Sequence, residues 1–429
     1  MSYRKLSSYD CRQGNPKAME QAKRQQAIAR IKEGMRQALA GLIDREAVAQ
    51  LILLGAIAQE HLLIIGPPGT AKSYVVKRVA TIVGGSYFEY LLGKFTEPSE
   101  LFGTIDFTKL QDGRFETQTE GMLPEADFVF LDEIFLASTA ILNTLLGVLN
   151  DHTFRRGHTQ TQCPLKICVG ASNQLPEDET LQAFSDRFLL TYFIQPVADP
   201  QLETLLSNGW SLSQSAPLES MGLLEDIEAL KRSLPHINLT RVVPQLAEAI
   251  RRLRQNNIIL SDRRLTKLPK LVAASALLAG REIAESADLW PLVYAVQKPA
   301  QQEMAQQILE AHLEVGQHSL FAEAANEAAG TLDSLESVLI NRCEQLLMTY
   351  HNKPPESAQR EEQTLGEWRN QTETLLKEID AGFAAEQRCE KLSDLRQQLI
   401  SLTEQFPAER VPNEQLPEDL ARFGEPVPS

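Results

Sequence analysis

The chain has 429 residues, 43% hydrophobic and 23% charged, which fits two or three domains and allows a large buried core. Its 42 basic and 57 acidic side chains leave a formal net charge of -15, so a protein that wraps nucleic acid or lies on an anionic membrane is disfavoured. The longest apolar stretch, Ala47 to Ala58, contains Gln50 and falls short of a membrane span. Met1 to Asp10 hold Arg4 and Lys5 but no apolar run, which points to the cytoplasm. Cys11, Cys163, Cys168, Cys343 and Cys389 are too few and too scattered for a disulfide framework, so they read as free thiols.

Residues 1–18 read as an N-terminal tail. From Met19 to Leu53 the apolar spacing is helical, and at His61 the rhythm changes. Leu62 to Ile65, Phe128 to Leu131, Ile167 to Val169 and Phe188 to Ile194 are continuous apolar runs separated by helical stretches. Runs without alternation are strands covered on both faces, so residues 19–198 predict an α/β core with a parallel sheet between helices.

The first of these strands runs directly into Gly66-Pro67-Pro68-Gly69-Thr70-Ala71-Lys72-Ser73, and a helix follows from Tyr74 to Val83. A strand, a Gly-rich turn and a helix start aim consecutive backbone N–H groups and the positive end of the helix dipole at one point, which suits a polyphosphate. The Lys72 ammonium reaches the β and γ phosphates and the Ser73 hydroxyl is placed to ligate Mg²⁺. Val75, Val76, Val79, Ala80 and Val83 fall on the side that docks on the sheet. The loop departs from the usual glycine before the lysine: Ala71 would cost about 1–2 kcal/mol if that position needs a positive φ.

Between Leu101 and Leu123, Thr104 to Thr108 and Arg114 to Gln118 flank Asp112-Gly113, a type I′ hairpin turn. Phe128-Val129-Phe130-Leu131-Asp132-Glu133 is a buried strand ending in two carboxylates. Beside a phosphate loop, Asp132 can hold Mg²⁺ and Glu133 can polarise an attacking water. Thr153 to Thr161 reads as a second hairpin around Gly157. His152, His158, Cys163 and Cys168 lie close together without zinc-ligand spacing, so they are read as hairpin and strand residues. Residues 199–300 are again helical in pattern and predict a separate small helical lid. Arg251, Arg252 and Arg254 are helix-surface residues, and Trp210, Trp290 and Trp368 read as packing. Residues 301–429 read as an acidic helical extension: Thr331 to Ser429 hold 10 Lys or Arg against 19 Asp or Glu.

With the Gly66–Ser73 loop and the Phe128–Glu133 strand, the chain resembles an AAA+ ATPase of the MoxR family, closest to the RavA type, over about Ile43 to Gln195 and again near Ser261 to Trp290. The Ala71 variant occurs in that group. The first hairpin resembles the helix-2 insertion of the clade and the second its pre-sensor-1 hairpin. The resemblance implies that Asn173, in Ala171-Ser172-Asn173-Gln174, is sensor 1. It implies that Arg187, in Ser185-Asp186-Arg187-Phe188, is an arginine finger entering a neighbouring subunit, and that Arg263, or Arg264 beside it, is sensor 2 at the start of a lid helix with Ser261 as its N-cap. It implies a nucleotide held between core and lid with Mg²⁺, and a ring of usually six subunits. It also implies chaperone-like work on a partner that often carries a von Willebrand factor A domain. A chelatase- or restriction-type motor of the same clade, and a nucleotide-binding scaffold with little turnover, are the alternatives.

Overall fold

The computed structural model describes residues 16–106, 116–156, 159–309, 320–329 and 390–405, with isolated helical positions at 343, 346, 347, 372, 375, 376 and 379. They fall into two compact units, Met1–Leu332 and Asp333–Ser429.

The first unit opens with helices α1 (Pro16–Leu39) and α2 (Glu46–Ala58), followed by strand β1 (Leu62–Ile65) and helix α3 (Lys72–Val83). Then come β2 (Tyr87–Leu91), α4 (Pro98–Phe102), β3 (Phe128–Asp132), α5 (Thr139–Asp151), the ribbon β4 (Thr153–Arg156) and β5 (Thr159–Gln162), β6 (Ile167–Ser172), α6 (Glu179–Ser185) and β7 (Leu190–Phe193). Five strands form one sheet in the order β2-β3-β6-β1-β7, with every neighbouring pair parallel. The four apolar runs of the sequence are four of these strands. The fifth, β2, lies at an edge and is only half covered, so its Tyr-Phe-Glu-Tyr-Leu carries no continuous apolar signal.

Alternate residues of each strand enter two buried clusters. Leu62 and Ile64 of β1 join α2 and α3, whereas Leu63 and Ile65 join α5 and Phe188 on the other face. α2 is the centre of the first cluster, and every residue from Ala47 to Ala58 is buried. Among the described residues no helix is long and apolar enough to cross a membrane. The side of α3 expected to dock does so, with Val75, Val76, Val79, Ala80 and Val83 all buried.

Helices α7 (Leu202–Gln214), α8 (Leu224–Ser233), α9 (Val242–Gln255), α10 (Asp262–Leu278), α11 (Pro291–Tyr294), α12 (Pro299–Leu309) and α13 (Ala322–Ala328) follow. Residues of α8 to α13 share one buried cluster with α2, and the compact unit runs to Leu332. α13 is tied to α2 through Gln50, whose Oε1 accepts from the Ala324 N–H at 2.9 Å. A second link is ionic: Glu60, 1% exposed at the entry to β1, pairs with Lys267 (2.6 Å) and Lys270 (3.1 Å) of α10. Of the second unit, the continuous described element is α14 (Glu390–Gln405).

The β4–β5 ribbon is the second hairpin of the sequence reading, with Phe154 opposite Thr161; Gly157 lies outside the described residues. The base of the first hairpin is also present. Ile105 bridges Thr117, and the N–H groups of Asp106 and Gln118 donate to Glu116 O and Thr104 O at 2.9 and 2.8 Å. Its turn at Asp112-Gly113 is outside the described residues. The two hairpins meet at their roots, where the Thr117 N–H donates to Thr159 Oγ1 (2.7 Å) and Arg156 Nη1 to Gly103 O (2.9 Å). Gly103 has φ +96°, and a Cβ there would stand 1.9 Å from Gln118 O, so the turn into the first hairpin needs glycine.

Candidate active site

Strands β1, β6 and β3 end side by side at one edge of the sheet, and everything after them converges there. β1 delivers Gly66, whose N–H donates to Ser172 O at the end of β6 (3.1 Å). A Cβ on Gly66 would lie 2.2 Å from Ile194 O, so the loop can start against β7 only without a side chain. Thr70 Oγ1 closes the turn on Pro67 O at 3.0 Å. Pro67, Pro68 and Gly69 are exposed around the turn. Lys72 is buried, and its Nζ donates to Gly66 O (2.7 Å) and Pro67 O (3.1 Å), which lays the ammonium along the inside of the loop.

Ala71 does take the left-handed conformation, φ 63° and ψ 28°, as the residue that caps α3. The strain anticipated for alanine is therefore present at the point where the loop turns into the helix.

β3 carries Asp132 at its last position, and Glu133 follows with φ 49° and ψ 46°. The Glu133 N–H donates to Asp132 Oδ1 (2.9 Å), and this tight turn sends the two carboxylates in different directions. β6 lies between β1 and β3, and Asn173 is the residue just past its end. Its Nδ2 donates to Glu133 Oε1 at 2.6 Å. Lys72 and Ser73 thus lie on one side of Asn173 and Asp132 and Glu133 on the other. Two inter-strand steps of about 4.8 Å separate the first strand from the third. Ser73 and Asp132 are half-buried oxygen donors flanking that gap. Among the described residues no group of three or more His, Cys, Asp or Glu could hold a metal by itself.

The two arginines go elsewhere. Arg187 follows α6 and precedes β7, whose first residue hydrogen-bonds back to the start of β1 through Leu190 N–H to His61 O at 3.1 Å. This is the amino-terminal edge of the sheet, one strand length away from the loop. α10 begins at the same edge, because Ser261 Oγ donates to both Asp186 carboxylate oxygens at 3.0 Å. Ser261 is the N-cap of α10, as expected, and accepts from the Arg264 N–H. Arg264 is 1% exposed, with Nε on Asp186 (2.9 Å) and its terminal nitrogens on Phe188 O, Leu189 O and Ala295 O at 2.6 to 3.0 Å.

The Arg264 guanidinium is thus fully bonded within the chain, and the neighbouring Arg263 lies near enough to Arg187 for its charge to act on it. Burial first, and then the positive charge of Arg263, hold the Arg187 guanidinium below its ordinary pKa. Among the described residues Arg187 Nε and Arg263 Nη1 are buried without a hydrogen-bond partner, and Arg187 Nη1 donates to Ala183 O of α6. Asp186 does not neutralise Arg187 by an ion pair, since its carboxylate is bonded to Ser261 and Arg264.

One residue of the loop's support was not foreseen. Arg45, 5% exposed at the start of α2, donates from Nε to Thr70 O (3.0 Å), from Nη2 to Gln195 O (3.1 Å) and from Nη1 to Asp44 O. It ties the phosphate loop to the segment leaving β7. Its sequence signal is slight, a charged residue just before the most apolar helix.

The remaining singled-out residues are structural. His61 Nε2 donates to Leu149 O (2.9 Å) and Nδ1 accepts from the Cys168 N–H (3.2 Å), with His152 6.2 Å away ring to ring. Cys163 and Cys168 are buried free thiols whose pKa burial raises. Trp290 is buried with Nε1 on Ser275 Oγ (2.9 Å), as its packing role requires. Trp210 is the exception, 71% exposed on α7, and Trp368 lies outside the described residues.

Residues 29–232 match a family model described as the MoxR domain in the MoxR-vWA-beta-propeller ternary systems, and residues 223–309 match an AAA lid domain. An uncharacterised protein of Methanocaldococcus jannaschii is 33% identical over 248 residues, 58% of this chain and 64% of that one. Chaperone MoxR1 of Mycobacterium tuberculosis is 26% identical over 217 residues, 49% of this chain and 57% of its own. The chain spans less than two thirds of the length of these curated relatives. A solved chain from Cytophaga hutchinsonii, described as a candidate ATPase, superposes with a TM-score of 0.56 at 17% identity, covering 70% of this chain and 98% of that one; it shares the fold. Residues 29–309 are thus similar to a MoxR domain followed by an AAA lid, and the chain has an AAA+ α/β fold.

Proposed function

We propose that this chain is a MoxR-type ATPase, akin to the RavA type, which hydrolyses ATP with Mg²⁺ in a ring of identical chains and uses the motion to remodel a partner protein. The observation that carries the reading is the Asn173–Glu133 hydrogen bond of 2.6 Å, at the strand edge where Lys72, Ser73 and Asp132 also end. A carboxylate oriented by a neutral amide beside a phosphate loop is the arrangement that activates water for phosphoryl transfer. Loop N–H groups and Lys72 receive the β and γ phosphates, and Ser73 and Asp132 would hold Mg²⁺, which when bound offsets phosphate charge. Water held by Asn173 attacks the γ phosphorus; the bond to the β-phosphate oxygen breaks and Glu133 takes the proton.

Arg187 and Arg263 share the opposite sheet edge, so they serve the nucleotide of a neighbouring chain. This supports a ring, with six subunits as the expected number. The matched family model names a von Willebrand A protein in its systems, which supports a partner of that kind for the hairpin side of the core. Steady-state ATPase assay of Glu133→Gln tests the reading: binding of ATP should persist and turnover should vanish. A wild-type chain with no turnover would leave only a nucleotide-binding scaffold. Stimulation by DNA or a porphyrin, and not by a von Willebrand A protein, would favour the chelatase or restriction-motor alternative.

A further inference from the structure

Helix α7 has no buried residue, yet its Leu202, Leu205, Leu206 and Trp210 are 38–71% exposed on one side, at the i, i+3, i+4, i+8 spacing of an amphipathic contact face. The root of α7 is fixed next to the phosphate loop. Gln201 Nε2 donates to Asp44 Oδ1 at 3.0 Å, one residue before the Arg45 that grips Thr70 O, and Leu212 rests against Gly41. On the far side of the core, α5 and α6 enclose a groove of ≈ 470 Å³ lined by Phe135, Ala137, Leu142, Leu146, Leu181 and Arg187. Thr139, Asn143 and Thr180 also line it, and the apolar side made by Phe135, Leu142, Leu146 and Leu181 suits an aromatic anchor.

We propose that this stripe, centred on Leu206 and Trp210, docks into the α5–α6 groove of a second copy of the chain, and that the docking is what brings the second copy's Arg187 to the Lys72 loop. The inference rests on the ring reading above and specifies its contact. Three observations name a copy of this chain as the occupant. The stripe is rooted beside the Lys72 loop, whose own Arg45 is engaged in holding Thr70 O, and the groove is walled by Arg187 from the other edge of the sheet. Charge also matches: exposed Asp199 and Glu203 border the stripe, while Arg187 and Arg263 carry buried nitrogens without hydrogen-bond partners among the described residues. Asp178, the acidic residue of the groove, is already engaged as the N-cap of α6. The two surfaces lie on different sides of one chain, so the contact is head-to-tail and propagates into a closed ring when the rotation closes.

The test uses two full-length variants, Trp210→Cys and Leu146→Cys, mixed with Mg²⁺ and ATP under mild oxidation. A covalent dimer is expected in the mixture and not in either variant alone or in the wild type. Trp210→Glu should raise the concentration for half-assembly tenfold or more in sedimentation and leave ATP affinity of the dispersed chain unchanged. Wild-type assembly without the cross-link, or undiminished assembly of Trp210→Glu, overturns the docking and leaves the ring reading standing. Concentration-independent protection of Trp210→Cys from a maleimide reagent shows cover by the same chain and also overturns it. Absence of any wild-type assembly with ATP overturns both.

Discussion

Asn173 Nδ2 donates to Glu133 Oε1 across neighbouring strand ends, and it reaches because Glu133 adopts the left-handed conformation. The amide therefore fixes the carboxylate proposed to take the proton. Glu133→Gln should lower turnover on the order of 10²-fold or more with ATP affinity retained. Asn173→Ala should lower turnover at least tenfold and change affinity little, since its amide bonds to Glu133. Single-turnover and equilibrium nucleotide titrations separate the two effects; a loss confined to affinity would contradict the assignment.

Ala71 sits at φ 63°. Glycine removes the Cβ penalty there and also loosens the unfolded chain, so the net gain is smaller than the strain itself. Ala71→Gly should stabilise by about 0.5–1 kcal/mol, and Ala71→Val should destabilise by more than 1 kcal/mol. Urea unfolding checks both, and a destabilised glycine variant would show that the position is not strained.

Arg45 joins Thr70 O and Gln195 O through a buried guanidinium. Arg45→Met keeps much of the packing and removes the donors of three carbonyls, Thr70 O, Gln195 O and Asp44 O, so it should cost about 2–4 kcal/mol and weaken ATP binding tenfold or more. Thermal unfolding and nucleotide titration measure this. Unaltered affinity would mean that the loop keeps its shape unaided.

Two buried groups give stability opposite pH dependences. Burial pushes the His61 pKa from 6.5 down to about 3, so the unfolded chain takes up this proton first. Its contribution is complete above pH 6.5 and is lost, by up to about 1.4 kcal/mol per pH unit, as pH falls toward 3. Burial raises the Glu327 pKa from 4.5 to about 7, against the hydrogen bonds of Tyr192 and Tyr294. The folded chain keeps that proton longer, so its contribution is complete below pH 4.5 and is lost as pH rises to about 7. Glu327→Gln should therefore gain on the wild type between pH 4.5 and 7, and His61→Gln should flatten the fall below pH 6.5. Urea midpoints from pH 4 to pH 8 read both, and slopes parallel to the wild type would contradict the burial.

Much of the core is legible in sequence because its chemistry is local. Gly66 to Ser73, Asp132 and Glu133 each follow an apolar run, and a strand buried on both faces announces itself without partners. β2 gives no such run because an edge strand leaves one side half open. The union of lid and core is not local either: it depends on α2, whose uniform burial needs α10 and α13 around it. Arg263 and Arg264 are adjacent and alike in sequence. Only the turn of α10 decides that Arg264 faces Asp186 and the carbonyls of Phe188 and Leu189 while Arg263 faces Arg187. Which sheet edge those arginines occupy is a property of strand direction, which no local pattern in the sequence carries.

The most direct measurement mixes two variants that are each expected to be inactive, Arg187→Ala and Glu133→Gln, in equal amounts. If the finger acts across the interface, a Glu133 from one chain meets an Arg187 from the next at about a quarter of randomly assembled sites, and ATPase activity returns to roughly that fraction of wild type. A mixture as inactive as its components would place Arg187 on its own chain's nucleotide, and an Arg187→Ala chain with full turnover would remove it from the reaction; either result contradicts this account.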